Sequence, residues 1–256
     1  MPGAEVPKPA PAQADAASRK AEFKLLVPAT DTPRALQALK LDPQRAVTAI
    51  VCYFDTPDGA LDAKHLILRA RQQGEANGES TVKLRAAEGE TTLSDGERAI
   101  PAEKDWVDQT GATFSRSLDN VSLAKDLVSK VAAGQAPVVG LFNAAQRQLI
   151  AARVPDLKWD QLRCFGPVKA EIWRQQAQLA GFPGAATIEL WHLQKDGRKL
   201  DLLEISAKAK PKSAEQAQAL AKQFYAAAKT AGLGDPAGQT KTRMVLDFFQ
   251  PPVRDQ

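Results

Sequence analysis

Charged and apolar side chains alternate along several short segments of the chain. In residues 20–26, KAEFKLL, the charged positions fall on one side of an extended strand and the apolar positions fall on the other. The same alternation recurs in HLILRARQ at 65–72, in TVKLR at 81–85 and in LLEISAK at 202–208. The pattern predicts strands that each have one apolar face and one charged face.

Other segments complete a strand-rich prediction. Residues 46–54, AVTAIVCYF, are apolar and β-branched, and the turn formers of DTPDG follow them. The Asp196-Gly197 pair predicts a hairpin that joins strands at 187–193 and 199–207. Residues 240–249, TKTRMVLDFF, predict a last short strand with Lys241 and Arg243 on one face.

Helical spacing of apolar residues appears in the middle and near the end of the chain. It predicts a helix within 117–134 and a second helix over 213–230, where Ser213 and Gln216 form a capping box. Residues 139–153, VGLFNAAQRQLIAAR, fit either a helix or a strand. As a strand, this segment would place Arg147 on the same face as Leu149.

The charged faces carry more cations than carboxylates. For a single strand, such as the one bearing Arg69 and Arg71, a solvated face is the simpler interpretation. Strands that close into a barrel would instead gather these cations in a wet interior, where an anionic ligand is needed to neutralise them. Guanidinium groups suit phosphate oxygens, so a ligand with several phosphates is predicted. The candidate phosphate-binding residues are Lys24, Arg69, Arg71, Lys83, Arg85, Arg147 and Lys208.

Carboxylates on the same faces are candidate metal ligands. Glu22, Glu189 and Glu204 could hold a divalent ion such as Mg²⁺, which binds through one or two carboxylates, waters and substrate phosphates. The alternative is that Glu22 and Glu204 only form ion pairs with Lys24 or Arg85.

Composition narrows the class of protein. The 256 residues are 44% hydrophobic, which suffices for one substantial core. Residues 1–17 are rich in Ala and Pro and predict a disordered tail, so a single domain is expected over 18–250. Cys52 and Cys164 are too few and too distant for a disulfide framework, which favours a cytoplasmic location.

Charge and hydropathy exclude two classes of partner. The net charge is +4, from 34 basic and 30 acidic residues, and no aromatic residues are interleaved with the cations, which disfavours nucleic acid as a partner. No apolar run approaches the ~18 residues that span a membrane. The sequence leaves the oligomeric state open.

Five runs of residues follow one another along the chain: EFK at 22–24, YFDTPDGAL at 53–61, LILRAR at 66–71, TVKLR at 81–85 and LLEISAK at 202–208. Together they resemble the CYTH superfamily of triphosphate tunnel metalloenzymes. The resemblance covers most of residues 20–248 and is most specific in the first 90 residues. It implies an α+β fold, an eight-stranded antiparallel β-barrel (tunnel) with flanking helices. It also implies that the basic residues bind a triphosphate, that the acidic residues bind Mg²⁺ or Mn²⁺, and that the substrate is hydrolysed or, in some members, that ATP is cyclised.

The chain departs from the family pattern at two acidic positions. Glu22 and Lys24 match the end of the family's Glu-x-Glu-x-Lys strand, but Lys20 replaces the first Glu. Glu204 is retained on the late strand, while Ser206 stands where a second carboxylate is expected. Metal-dependent hydrolysis of an inorganic or nucleoside triphosphate is therefore the first hypothesis. A non-catalytic module that binds polyphosphate or a nucleotide is the alternative.

Overall fold

The computed structural model describes residues 20–86 and 93–250. Its strands form a closed barrel with the neighbour order β1-β5-β6-β4-β3-β2-β7-β8-β9. The strands are β1 (Ala21–Val27), β2 (Val47–Asp55), β3 (Leu66–Gln73), β4 (Gly78–Ala86), β5 (Ala102–Trp106), β6 (Ala112–Leu123), β7 (Arg163–Gln178), β8 (Ala185–Lys195) and β9 (Arg198–Ala209). The α-helices are α1 (Thr32–Leu39), α2 (Asp95–Arg98), α3 (Leu127–Ala132), α4 (Ala144–Arg153), α5 (Ala214–Thr230) and α6 (Lys241–Phe249).

The expected tunnel fold is confirmed, with two differences in detail. The described residues contribute nine strands instead of eight. The second difference is that the short strand β5 pairs with β1 in parallel. This pairing places Glu22 opposite Asp105. All other neighbouring strands pair antiparallel.

Charged and apolar residues alternate along the strands because helices cover the outside of the barrel. The apolar residues of β1, such as Phe23 and Leu25, face outward and pack beneath α5, where Phe224 is also fully buried. On the other side, Leu68 of β3 and Val82 of β4 pack beneath the segment that contains α3 and α4. Because the helices cover the outside, the charged face of each of these strands points into the barrel.

The ambiguous segment 139–153 contains a helix, so the strand alternative for Arg147 is wrong. Asn143 caps α4 and forms a capping box with Gln146. The Gln146 side chain is fully buried and donates hydrogen bonds to the carbonyl oxygens of Ser80 and Leu118 on the barrel wall. The next residue, Arg147, consequently faces solvent.

Two other predictions of secondary structure are wrong. Residues 241–249 form α6 instead of a strand, because Thr240 caps a helix whose Val245, Leu246 and Phe249 bury one face. Residues 117–123 belong to β6, so the helix expected in 117–134 is limited to α3. The hairpin at Asp196-Gly197 is confirmed, since both residues have the positive φ that this two-residue turn requires.

The expected tail at 1–17 lies outside the described residues, and the boundaries of the single domain stay a prediction. Within residues 20–86 and 93–250, no helix has the length and apolar character that crossing a bilayer requires.

Candidate functional site

The barrel encloses a cavity of about 640 Å³, a size typical of ligand pockets. The segment before α6 and the first turn of this helix border the cavity. In that segment the Ala237 amide donates to the Leu26 carbonyl oxygen, and in the first turn Thr242 contacts the Tyr53 hydroxyl. Nine of the ten predicted site residues line the cavity, namely Glu22, Lys24, Arg69, Arg71, Lys83, Arg85, Glu189, Glu204 and Lys208. The tenth, Arg147, lies on the exposed side of α4, where it donates to the Phe142 carbonyl oxygen.

Carboxylates balance most of the positive charge in the cavity. Eight Lys and Arg side chains and six Asp and Glu side chains line it among the described residues. The sequence predicts a lumen whose cations need a ligand for neutralisation. In the structure most of these cations already have a carboxylate partner, which corrects that expectation. A bound polyanion would therefore compete with these internal ion pairs.

Asp105 on β5 is the most highly connected of these carboxylates. It accepts from Lys24 Nζ at 3.0 Å, from Lys83 Nζ at 2.6 Å and from Ser115 Oγ at 2.9 Å. Burial by itself would raise the pKa of Asp105, but Lys24 and Lys83 outweigh it and hold the pKa below its usual range. Burial and the adjacent Lys24 lower the pKa of Lys83. Asp105 thus stabilises two ammonium groups that face the cavity.

Three carboxylates meet beside these lysines. Oxygen atoms of Glu22, Glu103 and Asp105 lie within 4.8 Å of one another. Three hard oxygen donors suit Mg²⁺ or Mn²⁺. Glu22 Oε2 lies 2.9 Å from Lys24 Nζ, so a bound ion would displace the ammonium from the cluster. The donor set fits a divalent metal, with Glu22 as the predicted ligand that belongs to it.

The other two predicted metal ligands lie elsewhere in the lumen. Glu189 and Glu204 both contact the ammonium of Lys241, and the distance to Glu204 Oε1 is 2.8 Å. Burial would raise the pKa of Glu189, but Lys241 and Arg71 lower it to about 2. The three predicted metal ligands therefore lie at two places in the lumen. Glu22 belongs to the cluster with Glu103 and Asp105, and Glu189 and Glu204 lie together at Lys241.

Arginines form the wall opposite these clusters. Arg71 pairs with Glu79 at 2.6 Å, and Arg69 donates to Thr81 Oγ1 at 3.2 Å. The Nε atom of Arg69 is buried with no hydrogen-bond partner. Arg85 donates to Thr240 Oγ1 at 3.3 Å and has no carboxylate partner in the described part of the chain. These guanidinium groups keep donors available for an anion.

Three residues that shape the site, Glu103, Asp105 and Lys241, are absent from the site residues predicted from the sequence. Glu103 and Asp105 alternate in AEKDW at 102–106, a signal of the same kind as that in the other strands, and it could have indicated their shared face. Lys241 was assigned to a strand face, whereas it sits in the first turn of α6 and reaches into the barrel.

Residues 18–140 match the family described as CYTH domain. Over these residues the chain is similar to a CYTH domain. The segment of the match contains β1 to β6 and therefore Glu22, Lys24, the arginines of β3 and β4, and Asp105. The resemblance inferred from the sequence is thus confirmed.

Solved structures share the fold of this chain over most of its length. One is a putative adenylyl cyclase from Hippeastrum with a dominant triphosphatase activity: the identity is 16%, the TM-score is 0.51, and the match covers 92% of this chain and 99% of that one. Another is a putative adenylate cyclase from Bacillus halodurans, with 16% identity, a TM-score of 0.53, and coverage of 88% and 97%. No curated protein matches the chain.

Proposed function

We propose that the CYTH tunnel binds a linear triphosphate, inorganic or as part of a nucleotide, and hydrolyses it with a divalent metal. The observation that carries the proposal is the convergence of Arg69, Arg71, Lys83 and Arg85 in one cavity beside three clustered carboxylates. The match of residues 18–140 to the CYTH domain and the triphosphatase activity named for the Hippeastrum protein support the same chemistry.

The cationic wall supplies the binding and the positioning. Arg85 has no carboxylate partner among the described residues, so phosphate oxygens can bind it without breaking an ion pair. Arg69 pairs with Glu79 at 3.6 Å and would exchange this longer contact for phosphate. Lys24 and Lys83 have to leave Asp105 in order to contact phosphate. As charge builds up on the terminal phosphoryl group during attack by water, these groups offset it in a site of low dielectric.

Glu22, Glu103 and Asp105 would hold the metal, Mg²⁺ or Mn²⁺. A metal at this cluster would neutralise phosphate charge and activate the attacking water. The displaced ammonium of Lys24 would then be free to contact phosphate, so that the same lysine balances the carboxylates in the absence of metal and the substrate in its presence.

A second function, binding without turnover, is favoured by one observation. Ser206 lies opposite Lys24 in the β1–β9 pair, where the family pattern has a carboxylate, and Lys20 occupies the first acidic position. Lys20 is exposed at the start of β1. With two carboxylates fewer, the tunnel would hold polyphosphate or a nucleotide and release no product.

Removal of metal distinguishes the two functions. Purified protein is expected to release phosphate from tripolyphosphate in Mg²⁺ or Mn²⁺ and to lose this activity in EDTA. The reason is that a bound metal stabilises the charge of the transition state in phosphoryl transfer by several kcal/mol. Colorimetric phosphate release measures turnover, and calorimetry in EDTA measures metal-free binding. Tight binding with no release in either metal would establish the module instead.

The arginine wall is tested by a matched pair of substitutions. Arg69→Ala is expected to weaken metal-free tripolyphosphate binding by about 10- to 100-fold, because a charge-assisted hydrogen bond contributes about 1.5–3 kcal/mol. Arg147→Ala, on the exposed face of α4, should leave the dissociation constant unchanged. Equal effects of the two variants in calorimetry would show that the phosphate chain binds outside the lumen.

A further inference from the structure

Two buried carboxylates face each other on the inner wall of the barrel. Glu189 of β8 and Glu204 of β9 are direct cross-strand partners. Their side chains are 14% and 10% exposed. Like charges placed directly opposite on neighbouring strands repel, and burial makes the repulsion stronger. A pair of this kind stays fully ionised only with a cation between its members, and otherwise one carboxyl group holds a proton.

Lys241 supplies that cation from outside the sheet. It is the first residue of α6, and its ammonium contacts both carboxylates. The same Nζ atom lies 4.1 Å from the centre of the Trp191 ring, whose indole N–H donates to Glu189 Oε2 at 2.9 Å. Arg71 stands farther away, 3.8 Å from Glu189 Oε1. The ammonium is thus enclosed by two carboxylates and an aromatic face.

The position of α6 on the barrel does not depend on the Lys241 side chain alone. At the opposite end of α6, Lys195 donates to the Phe249 carbonyl oxygen at 2.6 Å and Arg198 donates to the Phe248 carbonyl oxygen at 2.9 Å. Val245 and Leu246 are also buried against the barrel. Substitution of Lys241 therefore removes a charge while the remaining contacts retain the helix.

We infer that Lys241 is a built-in cation that occupies the position a divalent ion would otherwise take between Glu189 and Glu204, and that loss of its charge converts this pair into a metal site. Two carboxylates with water completing the shell are sufficient for Mn²⁺. In the native chain Lys241 lies between the two members of the pair, whereas the cluster of Glu22, Glu103 and Asp105 offers three carboxylates from which the Lys24 ammonium would have to withdraw. The inference concerns metal binding and holds whether or not the protein turns over a substrate.

Mn²⁺ titration of Lys241→Met tests the inference without any activity assay. Methionine keeps most of the length of the lysine stem and removes the charge. Electron paramagnetic resonance of free Mn²⁺ is expected to show one more bound ion per chain in the variant than in the native protein. Native and variant chains that bind the same number of ions would overturn the inference.

Three further variants separate charge from helix packing. Lys241→Arg keeps the cation and should show no additional ion. Lys195→Met alters the other end of α6 and should also show none. Addition of Glu204→Gln to Lys241→Met should abolish the gained site, and a gained site that survives this change would contradict the assignment.

Thermal unfolding covers the case in which Lys241→Met does not fold without metal. Mn²⁺ should then raise the unfolding temperature of the variant more than that of the native protein, or restore its folding, because the ion binds the folded state alone. A variant that K⁺ restores as well as Mn²⁺ does, or that neither ion restores, would refute a divalent site at the pair.

Discussion

Asp105→Asn is expected to lower the free energy of unfolding by about 3 kcal/mol, the lower end of the cost of breaking a buried ion pair. The Asp105 side chain is 7% exposed and neutralises both Lys24 and Lys83. Lys24 keeps Glu22 at 2.9 Å, whereas Lys83 loses its carboxylate contact. Urea unfolding followed by circular dichroism gives the difference directly.

The same variant should respond more strongly to a polyanion. Without Asp105, Lys83 has no carboxylate contact and Lys24 keeps only Glu22, so tripolyphosphate in EDTA should raise the unfolding temperature of Asp105→Asn more than that of the native chain. Glu75→Gln is the control, because Glu75 pairs with Lys125 on the surface and its side chain is 88% exposed. Equal stabilisation of native and variant proteins would mean that phosphate does not reach these lysines.

The inward face of the barrel was predictable because its signal is local. Alternation with a period of two assigns Lys24, Arg69, Lys83 and Lys208 to charged faces without knowledge of the partner strands. The number of such strands and their order along the chain then favour closure of the sheet into a barrel. What the alternation indicates is which side chains share a face, and the structure confirms that these four line one cavity.

The pairing of charges was not predictable in the same way, because it depends on non-local contacts. Glu22 and Asp105 are 83 positions apart and meet only because β1 and β5 pair in parallel. Glu189 and Glu204 were recognised as inward carboxylates, but their cation comes from α6. The alternation of TKTR at 240–243 imitates a strand, and the helix is indicated only by the apolar spacing that follows it.

This difference explains why the three carboxylates predicted as metal ligands lie at two separate places in the lumen, with Glu22 beside Glu103 and Asp105 and with Glu189 and Glu204 at Lys241. A carboxylate in a charged lumen can hold a metal, hold a lysine or hold an arginine, and the choice depends on which side chain is nearest in space. Glu22 has Glu103 and Asp105 within reach, whereas Glu204 has Lys241. Acidic residues inside a tunnel should therefore be assigned only after the cations that reach them are known.

Glu22→Gln is expected to reduce metal-dependent phosphate release by about 100- to 1,000-fold, the usual effect of losing one group that stabilises the transition state. The variant removes one of the three carboxylates of the acidic cluster. It also removes a negative charge 2.9 Å from Lys24 Nζ and 3.8 Å from Lys208 Nζ. Turnover is measured as initial rate in saturating Mn²⁺.

Binding without metal should change in the opposite direction. Lys24 and Lys208 face less competition in Glu22→Gln, so tripolyphosphate in EDTA should bind the variant as tightly as the native chain or more tightly. Loss of release together with retained binding would assign Glu22 to the metal. Loss of both would assign Glu22 to the positioning of Lys24, and release at the native rate would place the metal outside this cluster altogether.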